Sequence, residues 1–214
     1  MILKSGNFWL FMILGLNFWL VPLFELDQAD EQFTDGLMAG TLLLAVALQG
    51  IAEARFRIWA VLAAVVILSA ITAEELLADL KYVENAVFAV SFAAATALYF
   101  LTMTRNLTNV TFDTVLAAAC TYLLIGMFFA AVFGLVIEFD LTAFASEGSV
   151  TGRYDMLYFS FATLTTLGAA DILPMSDLAK MLTVFEAIVG LIYIAILVGA
   201  VVGSYAAKMS GRNP

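Results

Sequence analysis

Between residues 154 and 174 the chain reads YDMLYFSFATLTTLGAADILP, and the chemistry on offer there lies in oxygen atoms rather than in acids and bases. Thr165, Thr166, Leu167 and Gly168 can present successive backbone carbonyls, with a threonine hydroxyl to complete the innermost set. Rings of such oxygens replace the hydration shell of a monovalent cation. The same hydroxyls have a second use, because threonine in a helix also bonds the carbonyl four residues back. Asp171 follows at the end of the run, and Pro174 stands three residues beyond it.

The elements that must hold this run are legible in the spacing. Tyr154, Leu157, Tyr158, Phe161 and Leu164 recur at helical period without an intervening Gly or Pro, which predicts a short helix over 154–164. The threonine pair, Gly168, Ala169, Ala170 and then Pro174 predict an extended exit, since proline has no N–H and keeps the preceding residue out of the α region. Long apolar runs flank the stretch at 112–137 and 178–205. Non-helical backbone at membrane depth is tolerated only where protein or water satisfies it, so the stretch is expected to be a re-entrant loop.

The segment Thr163-Leu164-Thr165-Thr166-Leu167-Gly168-Ala169-Ala170-Asp171 resembles the pore signature of potassium channels, TxTTVGYGD. Tyr158-Phe159-Ser160 falls where that family has two tryptophans and a serine, and Gly190, nineteen residues after Asp171, falls at the spacing of its hinge glycine. The resemblance covers residues 112–205. It implies that 165–171 is a selectivity filter, with K+ or another monovalent cation held at Thr165, Thr166, Leu167 and Gly168 and no cofactor. It implies filter support from Thr163 and Tyr158, and a hinge at Gly190. Two positions depart from the pattern, Ala169 and Ala170 standing where the family has Tyr and Gly. A Cβ at the left-handed glycine position costs roughly 1–2 kcal/mol, so the peptides there are expected to turn away and selectivity to weaken or be lost. The family's aspartate bonds a Glu and a Trp of the pore helix; the matching positions are Ala162 and Tyr158, which leaves Tyr158 as the partner of Asp171.

Composition sets the wider class. Of 214 residues, 64% are hydrophobic and 13% charged, with a mean hydropathy of +1.02, more apolar side chain than one soluble core uses. An integral membrane protein is expected. The chain has no histidine, which removes the usual imidazole base and the common zinc motifs, and an enzyme is not expected. Its one cysteine, Cys120, excludes an intrachain disulfide. Nothing in the sequence points to nucleic acid.

In chain order, apolar runs at 8–24, 36–52, 56–72 and 85–103 precede the flanking pair, each near the length needed to cross about 30 Å of hydrocarbon. The expected fold is therefore an all-α membrane protein of six transmembrane helices plus a re-entrant pore helix and filter loop. Its parts are a four-helix region at 1–111, a pore domain at 112–205 (outer helix 112–137, pore helix 154–164, filter 165–171, inner helix 178–205) and a short tail at 206–214. Lys4, Arg55, Arg57, Arg105, Lys208 and Arg212 fall on one side against Lys81, Arg153 and Lys180 on the other, which predicts cytoplasmic termini. The resemblance implies a bacterial or archaeal plasma membrane. The acidic loop at 25–35 reads as solvated, lacking the ligand spacing of a calcium site. Both N-x-T matches, at Asn106 and Asn109, then lie inside and read as chance.

The fourth run carries no cation between 85 and 103, so it lacks the charges a voltage sensor needs. One such unit offers a single loop and a single inner helix, and cannot enclose a pore alone. The resemblance implies a homotetramer in lipid. A non-conducting membrane module, degenerate or deliberately altered in its filter, is the competing reading. Glu186 lies well inside the last apolar run, where an ionisable group is functional by default; it faces either the pore helix, as filter support, or a water-filled cavity.

Overall fold

A computed structural model of the chain describes residues 6–23, 40, 81–105, 112–146 and 153–210. Five helices and one two-stranded ribbon are formed: α1 (Gly6–Leu23), α2 (Lys81–Arg105), α3 (Phe112–Phe139), β1 (Phe144–Ser146), α4 (Arg153–Leu164), β2 (Ile172–Pro174) and α5 (Asp177–Ser210). The apolar runs expected at 36–52 and 56–72 lie outside the described residues, as do the acidic loop at 25–35 and both N-x-T matches. Among the described residues, two helices are long and apolar enough to cross a membrane, Phe112–Phe139 and Asp177–Leu197, with shorter apolar stretches at Asn7–Leu16 and Asn85–Leu101.

The molecule is built around α3. This helix is apolar on all sides, the pattern of a helix buried in protein, and it packs against α1, α2, α4 and α5. One face joins Leu10 and Leu14 of α1, Phe88, Phe92, Ala95 and Tyr99 of α2 and Leu157 of α4 in a single cluster with Cys120, Leu124 and Met127. The other face carries Ile125, Phe129, Phe133 and Val136 against Phe144, Met156, Phe159, Ile172 and Tyr193. Phe133, Phe144 and Phe159 meet mutually edge-to-face with centroids 5.1–5.7 Å apart, the geometry the ring quadrupoles favour. The Arg153 guanidinium lies 4.6 Å from the Phe88 ring centroid and ties the start of α4 to α2.

The ribbon corrects the all-α expectation. Asp140 ends α3 in a turn, its Oδ1 accepting from the backbone N–H of Thr142 at 3.0 Å and the Thr142 hydroxyl at 2.7 Å. The chain then pairs antiparallel with the exit from the loop, Phe144 opposite Pro174, Ala145 opposite Leu173 and Ser146 opposite Ile172. Pro174, which lacks a donor, stands at the end of β2, where its missing N–H matters least. Ser176 caps α5 by accepting the Ala179 N–H at 3.2 Å, and Asp177 in the first turn complements the helix dipole.

The inner helix also differs from expectation at its end. It continues past residue 205 to Ser210, because nothing from 206 to 210 breaks it. Unlike α3, α5 shows much of its apolar surface: Leu178, Met181, Val184, Phe185, Ile188, Leu191 and Ile192 are all exposed.

Candidate functional site

The short helix α4 ends where the oxygen-bearing run begins. A helix C-terminus leaves four carbonyls without helical partners, and here all four have others. The Phe161 carbonyl accepts the Thr165 N–H at 3.0 Å, that of Thr163 accepts the Thr166 N–H at 2.9 Å, and that of Ala162 accepts the Gly168 N–H at 3.0 Å. The Leu164 carbonyl accepts the hydroxyl of Tyr122 on α3 at 3.0 Å. The run is thus folded back on the end of its own helix. Two of its residues take positive φ, Gly168 at 80° and Thr166 at 59°. The first costs glycine nothing, whereas a β-branched residue pays for the second.

Thr165, Thr166, Leu167 and Gly168 are all exposed, Leu167 to 76%, in a part of the chain whose supporting helices are packed. The two uses of the threonine hydroxyls are compatible here. Thr165 donates its hydroxyl proton to the Phe161 carbonyl at 2.7 Å, four residues back, and keeps its oxygen lone pairs for a cation. Thr166 stands next to it in the run. Thr163 is buried beneath the run.

Ala170 does not enter the left-handed region, positive φ among the described non-glycine residues being confined to Thr166. Ala169 is partly buried against the cluster that contains Leu164, Ile172 and Tyr193 among others. Asp171 is exposed and hydrogen-bonds the phenol of Tyr158.

Behind the run lies a junction of three helices built on two levels. On the first, the Ser160 hydroxyl contacts the Gly126 carbonyl at 2.7 Å and Glu186 Oε1 at 2.5 Å, and Glu186 is fully buried. On the second, one helical turn along each chain segment, Tyr122, Leu164 and Gly190 come together. Gly190 lies inside unbroken α5 and sits directly against the Leu164 carbonyl oxygen, where a Cβ would overlap it. Tyr193 adds a hydroxyl bond to the Ala118 carbonyl at 2.6 Å, its ring 5.7 Å from that of Tyr122. Glu186 meets the Ser160 side chain of α4. Ser160 belongs to the Tyr158-Phe159-Ser160 match; Tyr122 and Gly126 have no such signal, because what they bond or expose are backbone carbonyls.

Among the described residues no group of His, Cys, Asp and Glu side chains is placed to hold a metal ion.

Residues 118–206 match the sequence model of a family described as an ion channel. The matched span runs from α3 through α5 and contains the whole loop and junction. No curated protein and no solved structure matches the chain significantly. The match and the apolar helices together mark a channel-like membrane protein, which points to transport rather than catalysis.

Proposed function

We propose that the chain is one subunit of a homotetrameric cation pore in lipid, in which Thr165 to Gly168 from four copies face a common axis. The observation that carries this reading is a run of four consecutive exposed residues folded back on a short helix and held between two long apolar helices, within the span matched to ion channels. The exposed apolar surface of α5 supports it, since Met181, Phe185, Ile188 and Ile192 need lipid or a neighbouring subunit to cover them.

The pore discriminates weakly between potassium and sodium. With Ala170 outside the left-handed region and a methyl group at Ala169, the outer carbonyls no longer follow the resembling family's alternation, and the inner part at Thr165 to Gly168 carries what discrimination remains. Both termini are cytoplasmic.

The test is flux of K+ and Na+ from liposomes holding the purified chain, beside Ala169→Tyr combined with Ala170→Gly. The expected result is cation flux with little preference in the unaltered chain and a clear potassium preference in the double variant. Strong potassium selectivity in the unaltered chain would overturn this account of the filter, and no flux from either would overturn the pore.

A further inference from the structure

We infer that Glu186 is a proton-binding site whose occupancy decides whether Ser160 latches α4 to α3 as well as to α5, and thereby sets conduction. The argument starts from a count of protons. A serine hydroxyl has one, yet Ser160 Oγ lies within bonding distance of two acceptors, the Gly126 carbonyl at 2.7 Å and Glu186 Oε1 at 2.5 Å. If Ser160 donates to Gly126, the contact with Glu186 closes only when the carboxyl carries a proton and donates it to Ser160 Oγ. If Glu186 is ionised, Ser160 must turn its proton to the carboxylate and release Gly126. The junction therefore has two hydrogen-bond arrangements that differ by one proton, taken from or returned to water.

The surroundings separate the two states. Glu186 is 0% exposed, and its Oε2 is buried without a hydrogen-bond partner. From α3 the titratable group acting on it is the Tyr122 phenol. From α4 it meets the Ser160 hydroxyl, which does not titrate in water, and Ile172, Leu173 and Pro174 of β2 bring no titratable group. An ionised carboxylate there is buried with one serine hydroxyl as its hydrogen-bond donor, an arrangement that drives local opening or the entry of water.

Opening at this point reaches the filter directly. Ser160 and Glu186 each lie one turn from the residue that completes the second level, Leu164 and Gly190. The Leu164 carbonyl, clamped by Tyr122 and seated on Gly190, is the last of α4 before Thr165. Release of the Gly126 carbonyl, which opens the α3–α4 contact at Ser160, together with water drawn to the carboxylate, loosens the base on which Thr165 and Thr166 are folded. Conduction is accordingly supported while Glu186 holds its proton and falls as pH rises through its titration.

The inference rests on the pore reading only where flux is its readout, so a second readout accompanies it. Flux from liposomes is measured across pH for the unaltered chain, Glu186→Gln and Ser160→Ala, with infrared difference spectra of the same samples. Expected are a fall in flux of about fivefold or more with rising pH, at the lower end of couplings between sites, and a carboxylic-acid carbonyl band that disappears over the same range. Glu186→Gln, which keeps a donor toward Ser160, should hold flux at its acid-side value at every pH and lack the band. Ser160→Ala should shift the midpoint of both. A flux that is constant or rises with pH, or a pH dependence that persists in Glu186→Gln, overturns the latch. A titrating band in a chain that passes no ions overturns the pore and keeps the proton site.

Discussion

Tyr122 and Gly190 serve the same atom, the carbonyl oxygen of Leu164. Tyr122 on α3 gives it a hydroxyl at 3.0 Å, and Gly190 on α5 gives it room that any Cβ would take. The inner helix and the outer helix therefore meet at the backbone of the pore helix, one residue before the oxygen-bearing run begins.

This relationship predicts opposite signs for two views of Gly190. If the residue only supplied flexibility, Gly190→Ala would stabilise α5 by about 1 kcal/mol through helix propensity. Because a Cβ there overlaps the Leu164 carbonyl, we expect a net loss of about 1–3 kcal/mol, the usual range for overpacking. Tyr122→Phe should cost about 1–3 kcal/mol by leaving that carbonyl unsatisfied. Combining the two should cost less than their sum, since both act on one atom. Unfolding of the purified chain in detergent gives the three values.

Thr166 predicts a trade between stability and function. At φ 59° its β-branched side chain is strained, and Thr166→Gly should relieve about 1 kcal/mol after the extra chain entropy of glycine is counted. The same change removes one of the two threonine hydroxyls in the run. A variant that is more stable in detergent unfolding yet altered in its ratio of K+ to Na+ flux is the expected outcome. Equal stability would show that the residue is not strained.

A pH effect is expected at the end of α3. The Thr142 hydroxyl, and with it the Thr142 N–H, hold the Asp140 carboxyl below the ordinary aspartate range. The sign follows from the depressed value: the turn contributes stability above the unfolded aspartate pKa and loses it as pH falls through the folded one. Thr142→Val removes the hydroxyl and keeps the N–H, so the Asp140 titration should move up toward the ordinary range. Carbon-detected NMR of labelled aspartate reads the midpoint in both chains.

The sequence makes α4 and its abrupt end plain, because helical spacing from Tyr154 to Leu164 and the following Gly168 and Pro174 are local signals. Glu186 stands out for a different physical reason, the cost of an ionisable group in an apolar run. Its pairing with Ser160 does not stand out. Ser160 is marked by the family resemblance but not as a partner of Glu186, and its other contact is the carbonyl of Gly126, a group every residue possesses. The same holds for Tyr122 and Tyr193, which read as bulky aromatics until their hydroxyls are seen on the Leu164 and Ala118 carbonyls. β1 and β2 escape because three residues are too few to show a period of two. Thr165 carries no sign that its hydroxyl is bonded to the Phe161 carbonyl.

The ribbon between β1 and β2 joins the turn that ends α3 to the chain leaving the run after α4, with Ser146 opposite Ile172 and the Met175 N–H on the Ala143 carbonyl at 2.7 Å. These joints are made by main-chain atoms, which every residue but proline supplies in full. The side chains of Ala145 and Leu173, paired across the ribbon, can therefore change without unpinning either end.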